Sequence, residues 1–123
     1  MSNSDPTASL FKALMHPTRL SILEILRDGE QCVCHLEAAL GYRQAYISQH
    51  LIVLREAGLV DDRRDGARMY YRVIKPEVFD LVESASRLSG DKPIQVKRER
   101  LVNCLCPKCN PIMDGAAGEN LGG

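Results

Sequence analysis

The sequence predicts a mainly α fold with a single two-stranded β-wing. Three observations carry that expectation. Apolar residues recur at helical spacing in five successive segments. A short helix ends at Gly41, and a second helix, more polar on its outer side, begins almost at once. Two short β-prone runs, Leu59-Val60 and Met69-Tyr70-Tyr71-Arg72-Val73, flank the hairpin turn signal Asp65-Gly66.

The elements follow in order. Residues 1–5 read as a disordered leader. Pro6 suits the first turn of a helix with Leu10, Phe11 and Leu14 on one face. Pro17 interrupts it and starts a second helix. Leu20, Ile22, Leu23, Ile25 and Leu26 make that helix apolar on most sides, hence central, and Asp28-Gly29 ends it. A third helix over about 33–40 turns Val33, Leu36, Ala39 and Leu40 inward. A fourth over about 44–57 carries Ile47, Leu51 and Leu54 at helical spacing and stops at Ala57-Gly58. The wing occupies about 59–74. Pro76 opens a last helix to about Leu88, striped by Val78, Leu81, Val82, Ala85 and Leu88. One winged domain therefore spans 6–92. Residues 93–109 form a basic arm with a cysteine cluster, and the Gly/Ala/Asn-rich residues 110–123 read as a disordered tail. The stripes of the first and last helices exceed what one small core covers, which predicts a homodimer built from those two helices.

A chain of 123 residues holds one domain plus tails, and its formal net charge of zero names no partner. The charge distribution is more telling. Residues 41–75 carry Arg43, Arg55, Arg63, Arg64, Arg68, Arg72 and Lys75 against Glu56, Asp61, Asp62 and Asp65, a local basic excess. The polar N-terminus lacks an apolar signal region, and no run approaches the ~20 apolar residues of a membrane helix. The expectation is a cytoplasmic protein without a membrane partner, in a compartment where thiols stay reduced.

Helix, glycine, polar helix and Arg-rich hairpin is the order of a winged helix-turn-helix. With Ile47 and Leu51 inward, the fourth helix presents Gln44, Ala45, Ser48 and Gln49 outward, with Tyr46 and His50 at its sides and Arg43 at its start. Glutamine pairs with adenine edges, and serine reaches phosphate or base. Arg63, Arg64 and Arg68 at the wing tip suit phosphate or minor-groove contact. These ten residues are the candidate contacts to double-stranded operator DNA.

The segments LFKALMHPTRLSILEILRDGEQCVCHL, ISQHLIVLREAGLV and RRDGARMYYRV, in that order, resemble the ArsR/SmtB metal-responsive repressors over about two-thirds of the chain. The resemblance implies a winged helix dimer that represses its own operon and leaves DNA when metal binds. Departures are specific. Tyr42-Arg43-Gln44-Ala45-Tyr46 replaces a smaller, Ser-rich turn, which bears on operator sequence. His35 stands where arsenic and cadmium sensors of the family often have an acid. The last helix has Glu77, Asp80 and Glu83 but no histidine, so the zinc site some members build there is not expected, and these three read as an acidic outer face.

Five cysteines supply the remaining chemistry. Cys32-Val33-Cys34 resembles the C-V-C motif at the start of the third helix in thiolate-using members. In mid-helix, residues two apart diverge by about 200° and would not share an ion. At a helix start that limit relaxes, and the N-terminal dipole favours thiolate. Cys104, Cys106 and Cys109 add three soft ligands, and their C-P-x-C portion resembles zinc-knuckle half-sites. Thiolates select soft centres, so the expected inducer is a metal or metalloid ion of the arsenite, antimonite, cadmium, lead or zinc class, held by Cys32, Cys34 and tail thiolates, with His35 as an auxiliary candidate. The alternative is a redox or persulfide sensor using the same cysteines. Geometry separates the two: a disulfide needs Cα atoms roughly 4.4–6.8 Å apart, whereas a metal gathers three or four sulfurs at ~2.3 Å. No general base stands beside these cysteines, so an enzyme is not expected.

Overall fold

The computed structural model describes residues 5–90. The arm, the tail and Cys104, Cys106 and Cys109 lie outside the described residues.

Among the described residues, five helices and three strands follow one another as α1 (Pro6–Leu14), α2 (Pro17–Leu26), β1 (Gln31–Cys32), α3 (Val33–Leu40), α4 (Gln44–Glu56), β2 (Val60–Asp65), β3 (Arg68–Val73) and α5 (Glu77–Ser89). Asp5 is the N-cap residue of α1. Its side chain caps the helix, accepting from the Thr7 and Ala8 amides at 3.0 and 3.4 Å. α2 is capped by an unusual residue: His16 Nδ1 accepts from the Thr18 amide at 3.1 Å. Gly41 closes α3 in the left-handed conformation at φ 76°, a geometry that costs glycine nothing and turns the chain into α4.

The core is the common inner face of these helices. Ile22, Leu36, Ile47, Leu51 and Leu54 are fully buried, and Leu23, Ile25, Leu26, Val33, Leu59, Val60, Tyr71 and Val78 surround them. The inward positions expected of α2 and α4 are the ones filled, except Leu20, which is half-buried against the core.

The sheet corrects one expectation. The hairpin β2–β3 is present, but a third strand lies on it in the order β1-β3-β2, all antiparallel. β1 is two residues long, too short to show a period of two, and exists only through its pairing with β3. The hairpin turn is Gly66-Ala67, because Asp65 already pairs with Arg68. Gly66 has φ 64° and no non-glycine residue among the described residues has positive φ, which makes this a type II′ turn, matched to strand twist.

α5 is tied to α2 by Val78 and by Arg27. The Arg27 guanidinium pairs with Glu24 at 2.8 Å and Glu83 at 3.0 Å and lies 4.5 Å from the Phe79 ring centre. Glu83 is thus an inter-helix partner, not part of a plain acidic outer face. The rest of the apolar stripe stays open: Leu81 and Val82 are half-buried, Ala85 is exposed and Leu88 is 90% exposed. Phe11 on α1 is likewise 52% exposed. A groove of about 420 Å³ lies between the two helices, lined by Pro6, Leu10, Leu59, Val78 and Leu81 among others. No helix among the described residues is long and apolar enough to cross a membrane.

Candidate nucleic-acid interface and cysteine pair

α4 sits on the core through Ile47, Leu51 and Leu54. That orientation leaves Arg43, Gln44, Ala45, Tyr46 and Gln49 exposed and Ser48 half-buried. Arg43 is the N-cap residue of α4 but gives it no side-chain cap, so its guanidinium is not used to close the helix. Tyr42 and Tyr46 form an aromatic pair with ring centres 4.8 Å apart at the exposed start of α4.

His50 is not on this surface. It is only 7% exposed, and the expectation of a DNA-facing side chain is corrected by its partners. Its ring packs 4.3 Å from His16 and edge-on to Tyr46 at 4.7 Å. Its Nδ1 lies 3.0 Å from Arg19 Nη1. Guanidinium only donates, so Nδ1 accepts and the proton of the neutral ring sits on Nε2, which is buried with no hydrogen-bond partner among the described residues. Arg19 also donates to the Ala13 and Lys12 carbonyls at 2.6 and 3.2 Å. One guanidinium thereby joins the end of α1 to the reading face's buried flank.

Burial, followed by the neighbouring His16 and Arg19, lowers the His50 pKa below its usual value. The folded pKa lies under the unfolded value of about 6.5. His50 therefore contributes stability that is present above that value and lost as pH falls through the folded pKa. The denaturant midpoint should drop on acidification from pH 8 to 5.5, and His50→Gln should flatten the profile; an equally steep profile in the variant would assign the titration elsewhere.

The wing splits the three arginines. Arg64 is exposed and Arg68 half-buried near the tip. Arg63 is exposed as well, but its guanidinium is already paired within the protein. Its Nε and Nη2 donate to the two Glu30 oxygens at 3.0 and 2.7 Å, and its guanidinium lies 4.7 Å from the Tyr70 ring centre. The Glu30 carboxylate, first among several influences, raises the Arg63 pKa. Arg63 is therefore a paired cation rather than a free one, and the pairing leaves no local signal because Glu30 is 33 residues away.

The cysteine pair lies where α3 begins. Cys32 is the N-cap residue, in extended backbone, and its sulfur accepts from the Cys34 amide at 3.1 Å. The cap geometry removes the divergence of mid-helix: the two Cα atoms are 5.2 Å apart and the sulfurs are joined as a disulfide. Cys32 is 2% exposed and packs with Tyr70, Cys34 and Ala38 in a small cluster apart from the main core. Among the described residues no three His, Cys, Asp or Glu side chains group as a metal site. His35 is half-buried beside the pair.

Residues 16–62, from the α2 cap to the first wing strand, match the family model described as bacterial regulatory protein, arsR family. A biofilm growth-associated repressor of Agrobacterium fabrum is 46% identical over 77 residues, covering 63% of this chain and 66% of that protein. A probable mercury resistance operon repressor of Streptomyces lividans is 39% identical over 90 residues, covering 73% of this chain and 72% of the relative. Among solved structures, the homodimeric winged helix-turn-helix DNA-binding domain Mb0332 of Mycobacterium bovis, described as a possible ArsR-family transcriptional regulator, superposes with a TM-score of 0.63 at 34% identity, over 72% of this chain and 82% of that one.

Proposed function

Since the chain belongs to the arsR family of bacterial regulatory proteins, we propose that it is a homodimeric repressor that holds double-stranded operator DNA and releases it when a soft metal or metalloid binds its cysteines. The single observation that carries this reading is the convergence of the Cys32 and Cys34 sulfurs at the start of α3. Two sulfurs that can meet each other can, when reduced, meet one ion. α3 runs directly into the turn before α4, so an ion drawn to this point would act on the support of the reading helix. A third sulfur must come from elsewhere, and Cys104, Cys106 and Cys109 are the candidates. The ion is of the arsenite, antimonite, cadmium or lead class, as the thiolate set demands. The open faces of α1 and α5 support the dimer, as does the homodimeric state of the Mycobacterium bovis relative.

Gln44, Ala45, Tyr46, Ser48 and Gln49 are the proposed base readers, and Arg43, Arg64 and Arg68 the proposed phosphate contacts. A duplex from the region upstream of the protein's own coding sequence is the test probe. Arg64→Ala should weaken binding across sequences and lower the slope of log affinity against log salt by about 0.9. Gln44→Ala or Gln49→Ala should instead relax specificity, at about 1–3 kcal/mol per lost base contact. Unchanged affinity and slope in Arg64→Ala with Arg68→Ala would remove the wing from the interface.

A second reading rests on a specific observation. The Cys32–Cys34 bridge, with Cα atoms 5.2 Å apart, is what a redox or persulfide sensor would use. Thiolate-to-metal charge-transfer absorption, appearing with DNA release in the reduced protein, favours the metal; release by oxidant alone favours the bridge.

A further inference from the structure

The three strands align one residue from each into a single cross-strand row. Cys32 of β1 is paired with Tyr70 of β3, and Tyr70 is paired with Arg63 of β2. Directly opposed residues of antiparallel strands project to the same face, so the buried sulfur, the ring and the guanidinium follow one another across that row. Cys32 packs with Tyr70 in the satellite cluster, and the Tyr70 ring lies under the Arg63 guanidinium. Glu30, two residues before Cys32, closes the row by gripping Arg63 through both oxygens. A bidentate carboxylate–guanidinium pair fixes orientation as well as distance.

We propose that Glu30 and Tyr70 are positioning residues that clamp Arg63, and that this clamp carries the state of the Cys32–Cys34 pair into the wing. The inference rests on the cysteine-sensing reading but adds a second route, through the sheet rather than through α3. Its physical basis is that Tyr70 has one packing partner in the sensor and another in the wing. Within the satellite cluster, Cys32 and Tyr70 are the buried members, with Cys34 and Ala38 packed against them. A change in the separation of the two sulfurs therefore reaches the ring directly, without crossing the main core. Arg63, held by Glu30 and stacked on that ring, ties β2 to the segment that leads into β1. Arg64 and Arg68, the proposed phosphate contacts, stand on the hairpin that this tie anchors.

Opening the pair is a balanced two-electron step. A dithiol reductant supplies two electrons and two protons; the Cys32–Cys34 S–S bond breaks, two thiols form, and the reductant closes to its own cyclic disulfide. The sulfur bridge between Cys32 and Cys34 is then gone, and the Cys32 side chain is free to rotate away from Tyr70.

Hydrogen exchange on the full chain, without DNA, reads this directly. Cys104→Ser, Cys106→Ser and Cys109→Ser are introduced together so that only this pair responds to dithiothreitol. Reduction should raise exchange in peptides covering residues 60–73 several-fold. In Glu30→Gln, and in Arg63→Lys, which keeps the charge but not the fork, the wing should exchange faster in both states and lose its dependence on the reductant. Cys34→Ser should show no dependence at all. A wing indifferent to reduction in the parent chain overturns the proposal, as does a Glu30→Gln wing that responds as fully as the parent. Because no DNA is present, a chain that fails to bind its upstream duplex would sink the repressor reading without altering this result.

Discussion

Cys34→Ser should bind operator DNA as tightly as the parent protein and fail to leave it when arsenite or cadmium is added. Cys34 is half-buried at the first turn of α3, away from the exposed side chains of α4, so its loss removes a ligand without touching the reading surface. In the parent, an inducer that lowers DNA affinity has a coupling free energy of roughly 1–3 kcal/mol, or about 5–150-fold, and operator DNA weakens inducer binding by the same factor. The variant should show neither effect, and its thiolate absorption on metal addition should be reduced. Gel-shift titration and absorption in one sample measure both. Full release by metal from the variant would exclude the pair as the inducer site. Truncation after Asn103 then separates the tail: an undiminished response would leave Cys32 and Cys34, with His35, as the better site.

Leu51→Ala should cost about 2–5 kcal/mol of stability, by loss of buried surface and by the cavity left behind. Leu51 is fully buried on α4 and packs in the cluster that includes Ile22, Leu36, Ile47 and Leu54. This side chain seats the reading helix on α2 and α3, so the loss falls on the whole helix-turn-helix. Urea denaturation gives the change, with DNA affinity falling in proportion to the unfolded fraction. A loss below 1 kcal/mol would mean that α4 is seated mainly by its polar anchor, Arg19 against His50.

The helices and the hairpin were legible because their signals are local. Proline marked the starts of α1 and α2, Gly29, Gly41 and Gly58 follow the ends of α2, α3 and α4 within three residues, and a period of 3.6 placed Ile47, Leu51 and Leu54 inward, where they are buried. The same periodicity left Gln44 and Gln49 outside, and the family resemblance is written in contiguous segments, the first two of which fall largely within the residues 16–62 that the arsR model matches. Whatever depends on one residue and a short turn, the sequence alone determined.

What needed the tertiary structure is long-range. β1 is two residues of ordinary composition that become a strand only against β3. His50, placed at the side of the reading helix by its period, is buried because Arg19 and His16 of another helix close over it. Arg63 looked like one of three equivalent wing cations and is set apart by Glu30 and Tyr70. The cysteine pair was recognisable as a motif, but that its sulfurs converge was decided by the extended backbone of Cys32 at the helix cap. Hydrophobic periodicity reports which face of an element is buried; which polar groups meet across 30 residues is set by how the elements pack, and that leaves no period in the chain.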